Sequence, residues 1–155
     1  MEIKEFSQIE NKDYWIGKIA QADWSAGKYL GQILSDGSFY DLCGSKAKVF
    51  LLTEENELLS FCSYAEIDDV PDTSLKPWIG FVYTFPAFRG KGLIAKLIDR
   101  ACSCAKEDGY NAVYVSTDQK GLYENFGFEF FQEMQGRRGD MSLVYKRALR
   151  AVKAR

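Results

Sequence analysis

From residue 47 onward, short apolar runs alternate with polar turns, and one longer stretch repeats at helical spacing. Residues 47–53 and 58–67 are apolar enough for two strands, with Glu54-Glu55-Asn56-Glu57 as the hairpin turn between them. Residues 78–85 are almost unbroken in apolar character, as expected of a strand covered on both faces. From Leu93, apolar residues at 93, 94, 97, 98, 101, 102 and 105 make a stripe two residues wide, with Lys96, Asp99, Arg100, Ser103 and Lys106 opposite. That spacing predicts a helix packed on one face and ended by Asp108-Gly109. Residues 112–116 read as the next strand, so the strand–helix–strand unit predicts a right-handed parallel crossover. Residues 128–134 and 141–147 predict a terminal hairpin around Gly136-Arg137-Arg138-Gly139.

The first third is less regular. Residues 1–6 suit a short strand. Residues 9–20 suit a helix whose apolar positions are Tyr14, Trp15, Ile16 and Ile19. Residues 25–34 suit a second helix, capped by Ser25 or Asp23 and ended by Asp36-Gly37. Residues 68–76, with Pro71 and Pro77 at the margins, read as a polar loop. The whole predicts one α/β domain over residues 1–155, with no internal repeat or linker.

Composition narrows the chemistry. A net charge of −2 gives the whole chain no electrostatic case for nucleic acid, and the basic end at 146–155 reads as a solvated tail. No apolar run approaches a membrane span and no signal-peptide pattern opens the chain, so a cytoplasmic protein is expected. Cys43, Cys62, Cys102 and Cys104 fit that expectation as inert thiols, and Cys102 and Cys104 fall on different faces of their helix. No histidine occurs and no cysteines stand as Cys-x-x-Cys, so no metal site is expected. The same absence of histidine excludes Ser-His-Asp and Cys-His catalysis. A base must be a carboxylate, tyrosine, lysine, cysteine or water.

The richest segment joins the strand at 78–85 to the helix at 93. Pro86 stops the strand, and Arg89-Gly90-Lys91-Gly92 opens the helix. A glycine turn at a helix N-terminus presents free N–H groups and the positive end of the dipole, which suits a phosphate or pyrophosphate. Arg89 and Lys91 add charge. A flexible basic turn has the same composition. The segment lacks both the full P-loop pattern and the third glycine of a dinucleotide fingerprint.

A second segment, Gly121-Leu122-Tyr123-Glu124-Asn125-Phe126-Gly127-Phe128, follows the strand at 112–117. Together the two resemble the signatures of the GNAT family of N-acetyltransferases. These are Arg/Gln-x-x-Gly-x-Gly/Ala after the fourth strand and Leu-Tyr-x-x-x-Gly-Phe after the fifth. The likeness runs over residues 57–147, and the last small position of the first signature is Ile94 here. It implies a mostly antiparallel sheet, flanked by helices, whose fourth and fifth strands are parallel and part at their C-terminal ends. Acetyl-CoA would enter that gap, pairing with Val82, Tyr83 and Thr84. Its pyrophosphate would rest on Arg89, Gly90, Lys91, Gly92, Leu93 and Ile94.

Tyr123 matches the family tyrosine near the sulfur, a general acid for the leaving thiolate. The resemblance further implies direct transfer, in a ternary complex, to a primary amine on a small molecule or peptide. Open sheet edges admit a homodimer. The base stays open: the strand at 78–85 carries no acid, which leaves Asp118, Glu66, Asp68, Asp69 or a held water. Trp15, Trp24, Tyr29, Phe39 and Tyr40 are candidates for lining the acceptor site, and Asp68, Asp69 and Asp72 for drawing a cationic amine into it. The alternative reading is a non-catalytic acyl-CoA-binding or partner-binding domain with the same fold.

Overall fold

The computed structural model describes residues 1–149, so the end of the basic tail lies outside the described residues. Seven strands form one sheet: β1 (Glu2–Glu5), β2 (Lys48–Glu54), β3 (Glu57–Ala65), β4 (Trp78–Thr84), β5 (Ala112–Thr117), β6 (Glu129–Gln135) and β7 (Met141–Ala148). Their order is β1-β2-β3-β4-β5-β7-β6. Only β4 and β5 run parallel. The helices are α1 (Lys12–Ala20), α2 (Ser25–Asp36), α3 (Phe39–Cys43) and α4 (Leu93–Glu107).

The sheet is sandwiched because its central strands are apolar on both faces. Phe50, Leu52, Cys62, Ile79, Val113 and Val115 meet α4 through Leu97, Ile98, Ala101 and Ala105. Val49, Leu51, Phe61 and Tyr83 point the other way, onto Ile19, Leu30 and Ile33 of α1 and α2. The one-residue alternation within β2 is the pleat of a strand covered twice. Leu97 and Ile98 are fully enclosed, each contributing about 2 kcal/mol by burial.

Four expectations are corrected. Residues 9–11 are not helical: a 3-10 turn takes Phe6–Gln8 and Asn11 sits left-handed at φ 56°, so α1 starts at Lys12. Neither Ser25 nor Asp23 caps α2; the capping position is Trp24, with no side-chain bond to the helix. The short helix α3 lies where none was expected. The loop after β3 is not simply polar: Val70 is buried with Trp78, Ala112, Tyr114 and Val144, so the segment folds back across the sheet. That return lays Asp68 against Gly80 of β4 and Asp69 against Gly136 of the hairpin. Among the described residues, no helix is long and apolar enough to cross a membrane.

Candidate active site

The site begins where β4 and β5 separate. They pair only at Trp78 and Tyr114, and from Ile79 the β5-facing edge of β4 has no strand partner. A bulge drives the separation. Phe61 of β3 faces Tyr83 while Ser63 faces Gly80, so β4 carries one extra residue, and Phe81 takes a left-handed φ of 49° to absorb it. The outer half of β4 is therefore only partly covered, unlike the doubly buried strand expected from its sequence. The gap opens into a cleft of about 870 Å³ that Val82, Tyr83 and Thr84 help to line. The backbone groups on this open edge of β4 that neither β3 nor Arg89 takes up need partners, and an extended amide-bearing ligand would supply them.

At the end of β4 the cleft meets the N-terminus of α4. Gly90 and Gly92 adopt φ of 80° and 68°, and no side chain caps the helix. A Cβ at either glycine would meet no atom within 4 Å, so open space surrounds the exposed N–H groups. Arg89, Leu93 and Ile94 line the same space. Arg89 also braces the turn: its Nε–H donates to the Thr84 carbonyl at 2.8 Å and its guanidinium lies 5.3 Å from the Tyr83 ring. Lys91 is exposed, its ammonium 6.0 Å from the Phe88 ring, and is not part of the cleft lining.

Tyr123 opens a 3-10 turn, Tyr123–Phe126, that Gly127 ends at φ 84°. Its ring packs edge-on against Phe128 at 5.7 Å and tilts against Tyr145 at 6.4 Å. Among the described residues its hydroxyl has no protein partner, and no buried side-chain polar atom goes unpaired, so the hydroxyl opens to the cleft. Burial pushes the phenol's pKa well up, helped by Cys62 and Asp68, and keeps it protonated as a donor. Asp118 stands exposed at the rim.

The opposite wall gathers Asp23, Trp24, Asp68 and Phe81. Tyr83 ties it together: its hydroxyl accepts the Asp23 N–H at 3.2 Å and its ring stacks on Trp24 at 5.7 Å. Asp68 lies deepest among the carboxylates. The residue keeps some exposed surface, yet its Oδ2 sits 2.9 Å from where a Cβ on residue 80 would stand, with Ser63 beside that point. Burial raises the Asp68 carboxyl to about 6, and Asp69 adds to the shift. The Asp69 N–H, donated at 2.8 Å, and the charge of Arg137 oppose it.

Other expected lining residues fall elsewhere. Trp15 and Phe39 are buried core, because the faces of α1 and α3 that carry them pack inward. Tyr40 is exposed against Phe39, and Tyr29 is exposed beside Phe81. Glu66 is a structural acceptor for the Lys46 N–H, while Asp72 caps its own turn through Ser74. Asp69 is exposed and lies against Gly136 of the hairpin. A larger opening of about 1050 Å³ borders the start of α1, where Trp15 helps to line it, and shares no lining residue with the cleft.

Parallel strands that part beside an uncapped glycine turn, with a buried tyrosine across the gap, give the family signatures a common location. The sequence profile of the acetyltransferase (GNAT) family matches residues 14–128. The chain belongs to that family. No curated protein matches the sequence. Solved structures share the fold at low identity. An aminoglycoside 6'-N-acetyltransferase complexed with coenzyme A superposes with a TM-score of 0.69 at 11% identity, over 99% of this chain and 100% of that one. A GNAT acetyltransferase from Elizabethkingia anophelis with acetyl-CoA bound gives 0.66 at 14% identity, over 96% and 97%. An acyl-CoA N-acyltransferase from Pseudomonas aeruginosa gives 0.63 at 24% identity, over 95% and 97%. Membership makes the chain an acetyltransferase of mixed α/β architecture.

Sequence reasoning gave Gly80 and the Phe81 bulge no role, and it read Asp23 only as a candidate helix cap. A lone glycine inside an apolar strand is the signal that marks such a bulge or close approach.

Proposed function

We propose that this acetyltransferase moves the acetyl group of acetyl-CoA to a primary amine, directly, with donor and acceptor bound together. One observation carries the reading: the unpaired edge of β4 runs straight into the uncapped, glycine-lined N-terminus of α4, within one cleft that also holds Tyr123. The residues fit the coenzyme. Val82, Tyr83 and Thr84 offer backbone groups to an amide chain, and the α4 turn offers N–H groups and a dipole to a pyrophosphate. When bound, acetyl-CoA supplies an activated thioester.

The chain's own residues do the rest. Tyr123 holds a proton on its hydroxyl oxygen for the leaving sulfur. A backbone N–H on the open edge of the bulged strand would be placed to polarise a carbonyl in the gap. Trp24, Tyr83 and Asp68 form the face a cationic amine would meet. Raised pKa values at Cys43, about 11 through burial, and at Cys62, Cys102 and Cys104 leave these thiols protonated, which argues against a covalent acyl-cysteine route. A reducing cytoplasm suits four free cysteines.

Thiol detection of CoA release across a panel of primary amines tests the reading. Amine-dependent release is expected. Tight CoA binding with no release from any amine would favour the non-catalytic alternative.

A further inference from the structure

Resting on that reading, we infer that Asp68 takes the proton from the acceptor's ammonium group and that Gly80 is the residue that makes room for it. The bulge is why the pair exists. It brings Gly80 opposite Ser63, and the loop after β3 folds back so that Asp68 covers the one position on β4 with no side chain. A Cβ there would stand 2.9 Å from Asp68 Oδ2 and 3.2 Å from Ser63 Oγ, so alanine would make the carboxylate shift from its place.

The loop is held from across the sheet. The Arg137 N–H donates to the Asp69 carbonyl at 3.0 Å, and Arg137 Nε–H donates to the Asp68 carbonyl at 3.2 Å. From below, the Cys43 carbonyl accepts the Glu66 and Ile67 N–H groups at 3.1 Å. The clamp therefore uses Asp68's backbone. Among the described residues its Oδ1 accepts only the next residue's N–H, and Oδ2 is left to the cleft.

The charged and titratable groups facing it are Asp69, Arg137, Tyr123 and the buried Cys43 thiol. Asp69 and burial hold its proton affinity up, whereas Arg137 draws it down. The result is a carboxyl that titrates near 6, high enough to accept a proton and low enough to be ionised at neutral pH. Asp118 has no comparable enclosure.

The proton count closes. An N–H bond of the ammonium breaks, its electron pair stays on nitrogen, and an O–H bond forms at Asp68 Oδ2. The freed amine attacks. The pair of the broken C–S bond leaves on sulfur, which takes a proton from Tyr123. The new amide nitrogen gives up its own surplus proton, which restores Tyr123 through solvent. Asp68 then releases its proton to water.

Two measurements test this. NMR titration of the Asp68 side-chain carboxyl in the CoA-bound protein should give a midpoint near pH 6. In Gly80→Ala the midpoint should fall toward the ordinary carboxylate range as the group moves into water. A midpoint near 4 in the wild-type protein overturns the inference. Asp68→Asn keeps the Oδ1 acceptor and should fold normally. With the best alkyl amine of the panel it should lose at least tenfold in kcat, together with the ascending limb of kcat near pH 6. With an alkoxyamine of the same carbon skeleton, already neutral at pH 7, the loss should shrink several-fold. An unchanged pH profile and rate in Asp68→Asn, or equal losses with both amines, overturns the inference alone. No turnover by the wild-type protein overturns the acetyltransferase reading and this inference with it.

Discussion

The two walls of the cleft are built differently. The wall we propose for the donor comes mainly from one continuous run: the outer half of β4, the glycine turn and the first turn of α4. The wall we propose for the acceptor is assembled from four separated places: Asp23 and Trp24 before α2, Asp68 after β3, the bulge of β4, and the hairpin tip that pins Asp68 through Arg137. A phosphate or amide chain is held by backbone N–H groups, so its site must be written as local conformation: a strand end, two positive-φ glycines, a helix start. An amine is held by side chains, which any segment can supply. The donor wall therefore leaves a contiguous signature and the acceptor wall does not.

The largest effect should come where the walls meet. Tyr123→Phe keeps the ring against Phe128 and Tyr145 and removes only the hydroxyl that opens to the cleft. We expect kcat to fall about 100-fold, the usual scale of a general acid, with CoA affinity and melting temperature unchanged. Steady-state kinetics beside calorimetric CoA titration checks it. Parallel losses of stability and activity would make Tyr123 an anchor of the turn, and the cleft would then have no donor for the sulfur.

A smaller effect isolates the donor wall. Gly92→Val should weaken CoA about tenfold or more, near 1.4 kcal/mol. A Cβ there meets no protein atom within 4 Å, so direct crowding would have to come from the ligand. Valine also strains a φ of 68°. Gly92→Asn separates the two, because asparagine tolerates left-handed backbone and keeps the N–H groups aimed outward. It should retain more affinity than valine. Equal losses would mean the space beside Gly92 matters more than its backbone, and CoA affinity unchanged in a folded Gly92→Val protein would remove the phosphate site from this turn. Acceptor-dependent pH profiles should stay as in the wild type in either variant.

This asymmetry also explains what the sequence let one read. The stripe from Leu93 to Ala105, the run at 78–85 and the hairpin around residues 136–139 were legible because period and turn residues determine them locally. The positions of the glycine turn and Tyr123 beside the cleft were legible because each lies in a contiguous segment. Phe81 gave no sign of its left-handed backbone: an aromatic residue in an apolar run looks like ordinary strand, and the bulge follows from how β3 pairs with β4. Trp15 and Trp24 look alike in sequence. Only packing decides that Trp15 enters the core beside Ile19 while Trp24 stacks on Tyr83 at the cleft. Asp68 looked like one turn carboxylate among several, because the burial of Val70 and Trp78 that folds its loop over the sheet is a long-range event.

The smallest effect, and the one most specific to the acceptor wall, is on stability. Asp68 has a folded-state pKa raised to about 6 from an ordinary value of 3.8. Below about pH 3 it is protonated in both folded and unfolded chains and costs nothing. As pH rises through 4 to 6 the unfolded chain ionises it freely while the folded chain resists, so stability is lost over that window and stays lost above it. Asp68→Asn removes the cost. A shift of this size corresponds to about 3 kcal/mol if taken whole; water reaching a residue that keeps some exposed surface reduces it to about 1–2 kcal/mol. Melting temperatures of Asp68→Asn and wild type should therefore coincide at about pH 3, and the variant should melt about 2–8 °C higher at pH 7. Tyr123→Phe should show no such divergence between these pH values, since the phenol stays protonated across the range. A variant less stable than wild type at pH 7 would make Asp68 a brace for its loop. A variant more stable and less active would show that the acceptor wall keeps a carboxylate there at the expense of the fold, as expected of a group retained for its chemistry.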